Sequence, residues 1–336
     1  AKVGDIEYAT LAEAIDAAQS GETVFLVSDV ELTDTLTVAN KDVTLNVGTF
    51  TLTVATSGDG ISVENATLTL AGEGKYVFDC SASKSDGIYV YNTDAATTST
   101  LNLNGNVDIN VSGNVYSAIH AYASAGKAVV NINAGTITAR GSNQFPCVVV
   151  DQNATLNMTG GTFDLSMDFD AYSDGNDVVG VLIWGNNHKQ ENCTVNISGG
   201  TFKVGGKNAF AQAVQVGMTN GYSENCTVNI SGGEVILNPT ENGKGYVYAT
   251  YKTTYATAEI TGGTVSGSVT AIINPYITVT EVANDGLTIS GGNFSGIDVA
   301  DKYLAEGCTY DSATGEVSKA ATVVKPVSVN GTSYAT

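Results

Sequence analysis

The decapeptide Glu-Asn-Cys-Thr-Val-Asn-Ile-Ser-Gly-Gly occurs twice in this chain, at 191–200 and 224–233. Weaker copies stand at 154–163, 258–265 and 287–294, and degenerate ones begin near Asp42, Ala66, Thr100 and Ala128. No other feature constrains the fold as much. A unit this short cannot bury a core alone, so the units must stack on one another.

Inside each copy the apolar and polar residues alternate. Leu156 and Met158 alternate with Thr155 and Asn157, and Val228 and Ile230 with Thr227 and Asn229. That period of two predicts a strand with one buried face, and the following Gly-Gly predicts a bend into the next strand. A second alternating strand recurs later in the unit, at 87–91, 118–122, 181–184, 214–216 and 246–249. Loops of variable length make units of roughly 25 to 40 residues. Corresponding strands stacked in parallel predict an all-β, right-handed parallel β-helix of about ten rungs, the hand following from the crossover rule. A β-propeller needs four antiparallel strands per blade and a longer period, which these units lack.

The ends differ from the middle. Thr10 and Glu13 form a capping box ahead of an apolar face of Leu11, Ala14, Ile15 and Ala18, which predicts a short helix plugging the open end of the coil. Gly21 suits the position just past that helix. The predicted organisation is therefore 1–22 as N-terminal strand and capping helix and 23–322 as the β-helix, with Val299–Glu306 as a second short helix. The remainder, 323–336, resembles the chain's own start. Tyr334, Ala335 and Thr336 align with Tyr8, Ala9 and Thr10. Either this tail opens a further module, or it is an intersubunit strand that builds a head-to-tail filament, with Val327, Val329 and Tyr334 as the assembly residues.

The net charge of −20, with a single arginine, Arg140, argues against nucleic acid and anionic surfaces and fits an extracellular setting. No apolar run is long enough for a transmembrane helix, and no membrane insertion is expected. A mature secreted chain starting at Ala1 would show no signal peptide. Of the five cysteines, Cys193 and Cys226 hold the same place in adjacent units, which predicts an apolar ladder rather than a disulfide.

Catalysis has thin support. Lyases of acidic sugars need cations for the substrate carboxylate, and this chain has few. Glycoside hydrolysis needs two carboxylates about 5–10 Å apart. Asp59 and Asp86 precede equivalent strands, yet Asp-Gly there is also an ordinary turn signal. The expectation is therefore a protein that is not an enzyme, without catalytic residues. No cofactor is expected beyond calcium, which the acidic stretch Asp168, Asp170, Asp174, Asn176 and Asp177 would offer oxygen ligands. A solvated acidic loop is the plain alternative. Columns of Thr and Asn on the first strand predict hydrogen-bonded ladders. The second strand points Tyr89, Tyr91, His120, Tyr122, Trp184, Tyr246 and Tyr248 outward, which suits sugar stacking as well as simple cross-strand packing. Asn-X-Ser/Thr triplets, as at Asn153 and Asn196, follow from the repeat's composition.

The Ile-Ser-Gly-Gly-Thr-Phe-like repeats, opened by Tyr-Ala-Thr-Leu-Ala-Glu-Ala-Ile at 8–15, resemble the β-helix modules of large prokaryotic surface and adhesin-like proteins. The segment Gly-Ile-Asp-Val-Ala-Asp-Lys-Tyr-Leu-Ala-Glu-Gly at 296–307 looks like their usual ending. The resemblance spans almost the whole chain. It implies a cell-surface or secreted structural module whose partners are copies of itself, glycans or host surfaces. It carries no catalytic motif. The rival class is a carbohydrate-active β-helix enzyme, and lining of a cleft by Asp59 and Asp86 would speak for it.

Overall fold

The protein is described from a computed structural model, over residues 1–141, 148–165, 177–184, 189–207, 210–217, 222–250, 255–275, 286–320, 327–329 and 332–334. It is a right-handed parallel β-helix with one α-helix, Leu11–Ala17. The repeat strands form one continuous parallel ladder. It runs from Glu22–Phe25 through Asp42–Asn46, Thr67–Ala71, Thr98–Leu103, Lys127–Ile132, Ala154–Met158, Thr194–Ile197, Tyr222–Ile230 and Tyr255–Gly267 to Leu287–Asn293.

Each coil holds three strands rather than the two that alternation reveals. The extra one follows the glycine bend, a single Gly48 or Gly135 before Thr51–Thr56 and Thr136–Gly141 and Gly199-Gly200 before Thr201–Lys207. The corner itself explains the glycines. A Cβ at Gly199, Gly232, Gly262 or Gly291 would stand 2.2–2.3 Å from a carbonyl oxygen of the coil below, closer than any real Cβ contact. The glycine after the first three of these has φ between +85° and +92°, where a side chain is strained.

The alternating apolar residues fill the interior. Leu68, Leu101, Val130, Leu156, Val195 and Val228 form one column and are all but fully buried. Cys193 and Cys226 are buried free thiols in that interior, and the Cys226 side chain together with burial pushes the Cys193 thiol well above its ordinary pKa. Outside runs the amide ladder. Asn131 Nδ2 donates to Asn102, Asn157 to Asn131, Asn196 to Asn157 and Asn229 to Asn196, at 2.8–2.9 Å.

The first end is closed as the capping box predicts. Glu13 N donates to Thr10 Oγ1 at 3.1 Å, and Thr10 N to Glu13 Oε2 at 3.2 Å. Lys41 Nζ donates to the carbonyls of Ile15, Asp16 and Ala18, which suits a cation at a helix C-terminus. The helix stops at Ala17 with Ala18 as its C-cap, earlier than Gly21 implied. Gly21, at φ +91°, turns the chain into the first rung and donates its N–H to Asp42 O.

At the other end the expected helix Val299–Glu306 is only a 3₁₀ turn, Asp301–Tyr303. The backbone is taken for pairing instead, since Leu304 bridges Ile289 and Ala305 N donates to Ile289 O. The hairpin Cys308–Asp311 with Glu316–Lys319 then lies antiparallel across Gly292 and Asn293 and covers that edge.

Candidate functional site

The third strand of each coil carries the site. Its parallel register places Tyr89 against His120 and Tyr91 against Tyr122, with Asp86 against Ser117. The next strand up, Val148–Val150, pairs with Ile119–Ala121 and delivers Asp151 beside His120. Val181–Ile183 follows and delivers Trp184. Residues 59, 86, 116, 120, 151 and 184, far apart in sequence, thus line one open groove of about 410 Å³.

His120 is the centre. Its Nδ1 lies 3.0 Å from Asp86 Oδ2 and its Nε2 3.4 Å from Asp151 Oδ2. The three side chains are 15%, 7% and 14% exposed. Burial pulls the imidazole pKa down, but the Asp86 charge and the hydrogen bonds to both carboxylates outweigh it and hold it at about 10. His120 is therefore an imidazolium at neutral pH, donating both ring protons. The expectation was that it points outward from its strand; that direction holds, and between Asp86 and Asp151 little of its ring reaches water.

The carboxylates are committed to internal partners. Asp86 accepts from Ser117 Oγ at 2.5 Å as well as from His120. Asp151 accepts from Gln152 N, and Asp59 from Asp86 N, both at 2.7 Å. Asp59 has its pKa raised by burial and by the neighbouring Asp86. Asp59, half-buried in the bend before Ile61, and Asp86, within the long strand Lys75–Asn92, thus both line the groove, the arrangement named above as speaking for a carbohydrate-active enzyme.

Aromatic rings form the walls. Tyr89 stacks on Tyr91 and Tyr91 on Tyr122, both at 5.5 Å between centroids, and Tyr89 meets the His120 ring edgewise at 5.2 Å. Tyr116 and Trp184 form a tilted pair at 4.6 Å. Burial, and then the Asp86 charge, raise the Tyr89 pKa, so it stays a neutral phenol.

Five of the seven aromatic-face residues expected to bind are therefore gathered on one surface: Tyr89, Tyr91, His120, Tyr122 and Trp184. The other two are not outward. Tyr248 continues the interior column of Ile119, Val148, Val181 and Val214, and is 1% exposed. Tyr246 packs against Phe210 and is 8% exposed. Residues 245–249 of that strand are all buried, on both faces, so alternation there does not report which side is wet. Sequence reasoning missed Tyr116 and Asp151. Asp151 follows three valines without alternation, yet aligning that run with Ile119–Ala121 would have exposed it.

Asp168, Asp170, Asp174 and Asn176 lie outside the described residues. Only the backbone of Asp177, which opens the strand Asp177–Ile183, is described. No helix of the described residues is long and apolar enough to cross a membrane. No protein-family model matches the chain, and a search of curated proteins returned no match.

Proposed function

We propose that this chain is a non-catalytic, extracellular β-helix module of a prokaryotic surface protein, and that its groove binds glycan. The observation behind this reading is the groove's composition. Apolar ring faces of Tyr89, Tyr116 and Trp184 stand beside a floor of carboxylates. A pyranose ring presents the matching surface, with C–H faces for the rings and hydroxyls that donate to the carboxylates. The negative floor favours neutral or amino sugars over acidic ones. The lining of the groove by Asp59 and Asp86 suits the rival class, a carbohydrate-active enzyme, as well; binding is preferred here because Asp86 and Asp151 are both oriented by His120 as acceptors for sugar hydroxyls. The ladder of paired asparagines and the continuous interior make a rigid rod that suits a stalk or adhesive unit.

Trp184 is the only tryptophan, so its emission reads the groove directly. Titration with neutral, amino and acidic oligosaccharides should give a saturable change with the first two classes. Asp151→Asn should weaken that response at least tenfold, since a fully engaged contact of this kind is worth about 2 kcal/mol. Silence of Trp184 toward every sugar would refute the reading. New reducing ends in the same mixtures would replace it with an enzyme.

A further inference from the structure

The first eight residues form a hairpin that seals the first rung. Lys2 pairs with Glu7 and Val3 with Ile6, and backbone bonds join Ala1 and Tyr8. Lys2 and Val3 also lie antiparallel on the edge strand, opposite Phe25 and Val24. Strands Val327–Val329 and Thr332–Tyr334 pair antiparallel in the same register. Val327 pairs with Tyr334, Ser328 with Ser333 and Val329 with Thr332.

The two sequences agree where the first hairpin touches the core. Val3 is buried, and Ala1 and Tyr8 pack partly against the interior. Their counterparts are Val329, Val327 and Tyr334. They disagree at half-buried Lys2 and at the exposed Gly4, Asp5, Ile6 and Glu7, against Ser328, Asn330, Gly331, Thr332 and Ser333. Among the described residues the second hairpin is a sheet of its own and joins no strand of the coil. A lone two-stranded hairpin is marginal in water, so a docking edge would stabilise it.

We propose that the hairpin 327–334 takes the place of hairpin 1–8 on the first rung of a second copy of this chain, linking copies head to tail. Ser328 then stands opposite Phe25 of the partner copy and Val329 opposite Val24. Reach excludes the same molecule. Nine parallel pairings separate the first repeat strand from the last, about 43 Å at the usual strand spacing. Lys319 is fixed against the last coil, and the eight residues from it to Val327 span at most about 27 Å. Because the donor and acceptor surfaces differ, the contact does not close and the product is an open chain of molecules. The exchange is independent of the groove.

A disulfide trap in the full chain tests it. Ser328→Cys with Phe25→Cys places two thiols opposite each other only in the exchanged state, while Lys2→Cys with Phe25→Cys does so within one molecule. Both proteins are annealed just below their melting temperature, cooled, and oxidised with oxidised glutathione. The first should give a ladder of covalent multimers on a non-reducing gel and the second a cross-linked monomer. Adding Val329→Asp, which places a charge at the counterpart of buried Val3, should abolish the ladder. A monomer-only first sample, or a ladder that survives Val329→Asp, would overturn the proposal.

Discussion

Replacing His120 by glutamine removes the cation that holds Asp86 and Asp151 together. Taking one partner from a buried ion pair costs about 3–5 kcal/mol, and the residual exposure of Asp151, 14%, places this case at the lower end. The pH dependence is more diagnostic. The folded pKa of His120 is raised from 6.5 to about 10. Below 6.5 both folded and unfolded chains carry the proton, and its stabilising effect is fully present. Between 6.5 and 10 only the folded chain keeps it, so stability falls as pH rises, by about 1.4 kcal/mol per unit. Over the whole interval that amounts to about 5 kcal/mol. Cys80, raised by burial to about 12, gives a slope of the same sign above pH 9, so the quantity to measure is wild type minus His120→Gln. Denaturant unfolding followed by Trp184 emission from pH 7 to 9.5 provides it. The difference should shrink steadily with pH. A difference independent of pH would refute the doubly paired imidazolium.

Two further perturbations probe the coil. Gly232→Ala places a Cβ 2.3 Å from Ser198 O, which must push two coils apart, and should cost about 1–3 kcal/mol. A melting temperature unchanged from wild type would mean that the corner is looser than described. Asn157→Ala breaks two rungs of the amide ladder, to Asn131 and from Asn196, and should cost about 2 kcal/mol at about 1 kcal/mol per bond. Chemical denaturation would show it, and a loss below 0.5 kcal/mol would mean that water replaces the ladder freely.

Much of the architecture was legible because it is local and periodic. Alternation named the inward residues of the repeat strand, Leu156 and Val195 among them, and the matched positions of Cys193 and Cys226 placed both thiols in the interior. The capping box at Thr10 was readable because all its atoms lie within one turn. The second strand was aligned correctly at 87–91 against 118–122. The strand after each Gly-Gly went unseen as a separate element, and Tyr246 and Tyr248 were placed outward because alternation cannot tell a wet face from a covered one. The helix expected at Val299–Glu306 lost to sheet-edge pairing with Ile289, a partner outside the segment.

The repeat by itself determined that this chain coils and which residues of the repeat strand face inward, and the capping box at Thr10 placed the N-terminal helix. Short-range sterics and the burial of alternate residues act within a unit, so they are written in each unit. Only the tertiary structure decided that Asp59, Asp86, His120, Asp151 and Trp184 share one groove. Their separations, 27 to 34 residues at each step, become neighbour distances only once the loops have set the register of coil on coil. The pKa of His120 follows from that register, because a charge is set by what stands within a few ångströms of it and not by what precedes it in the chain.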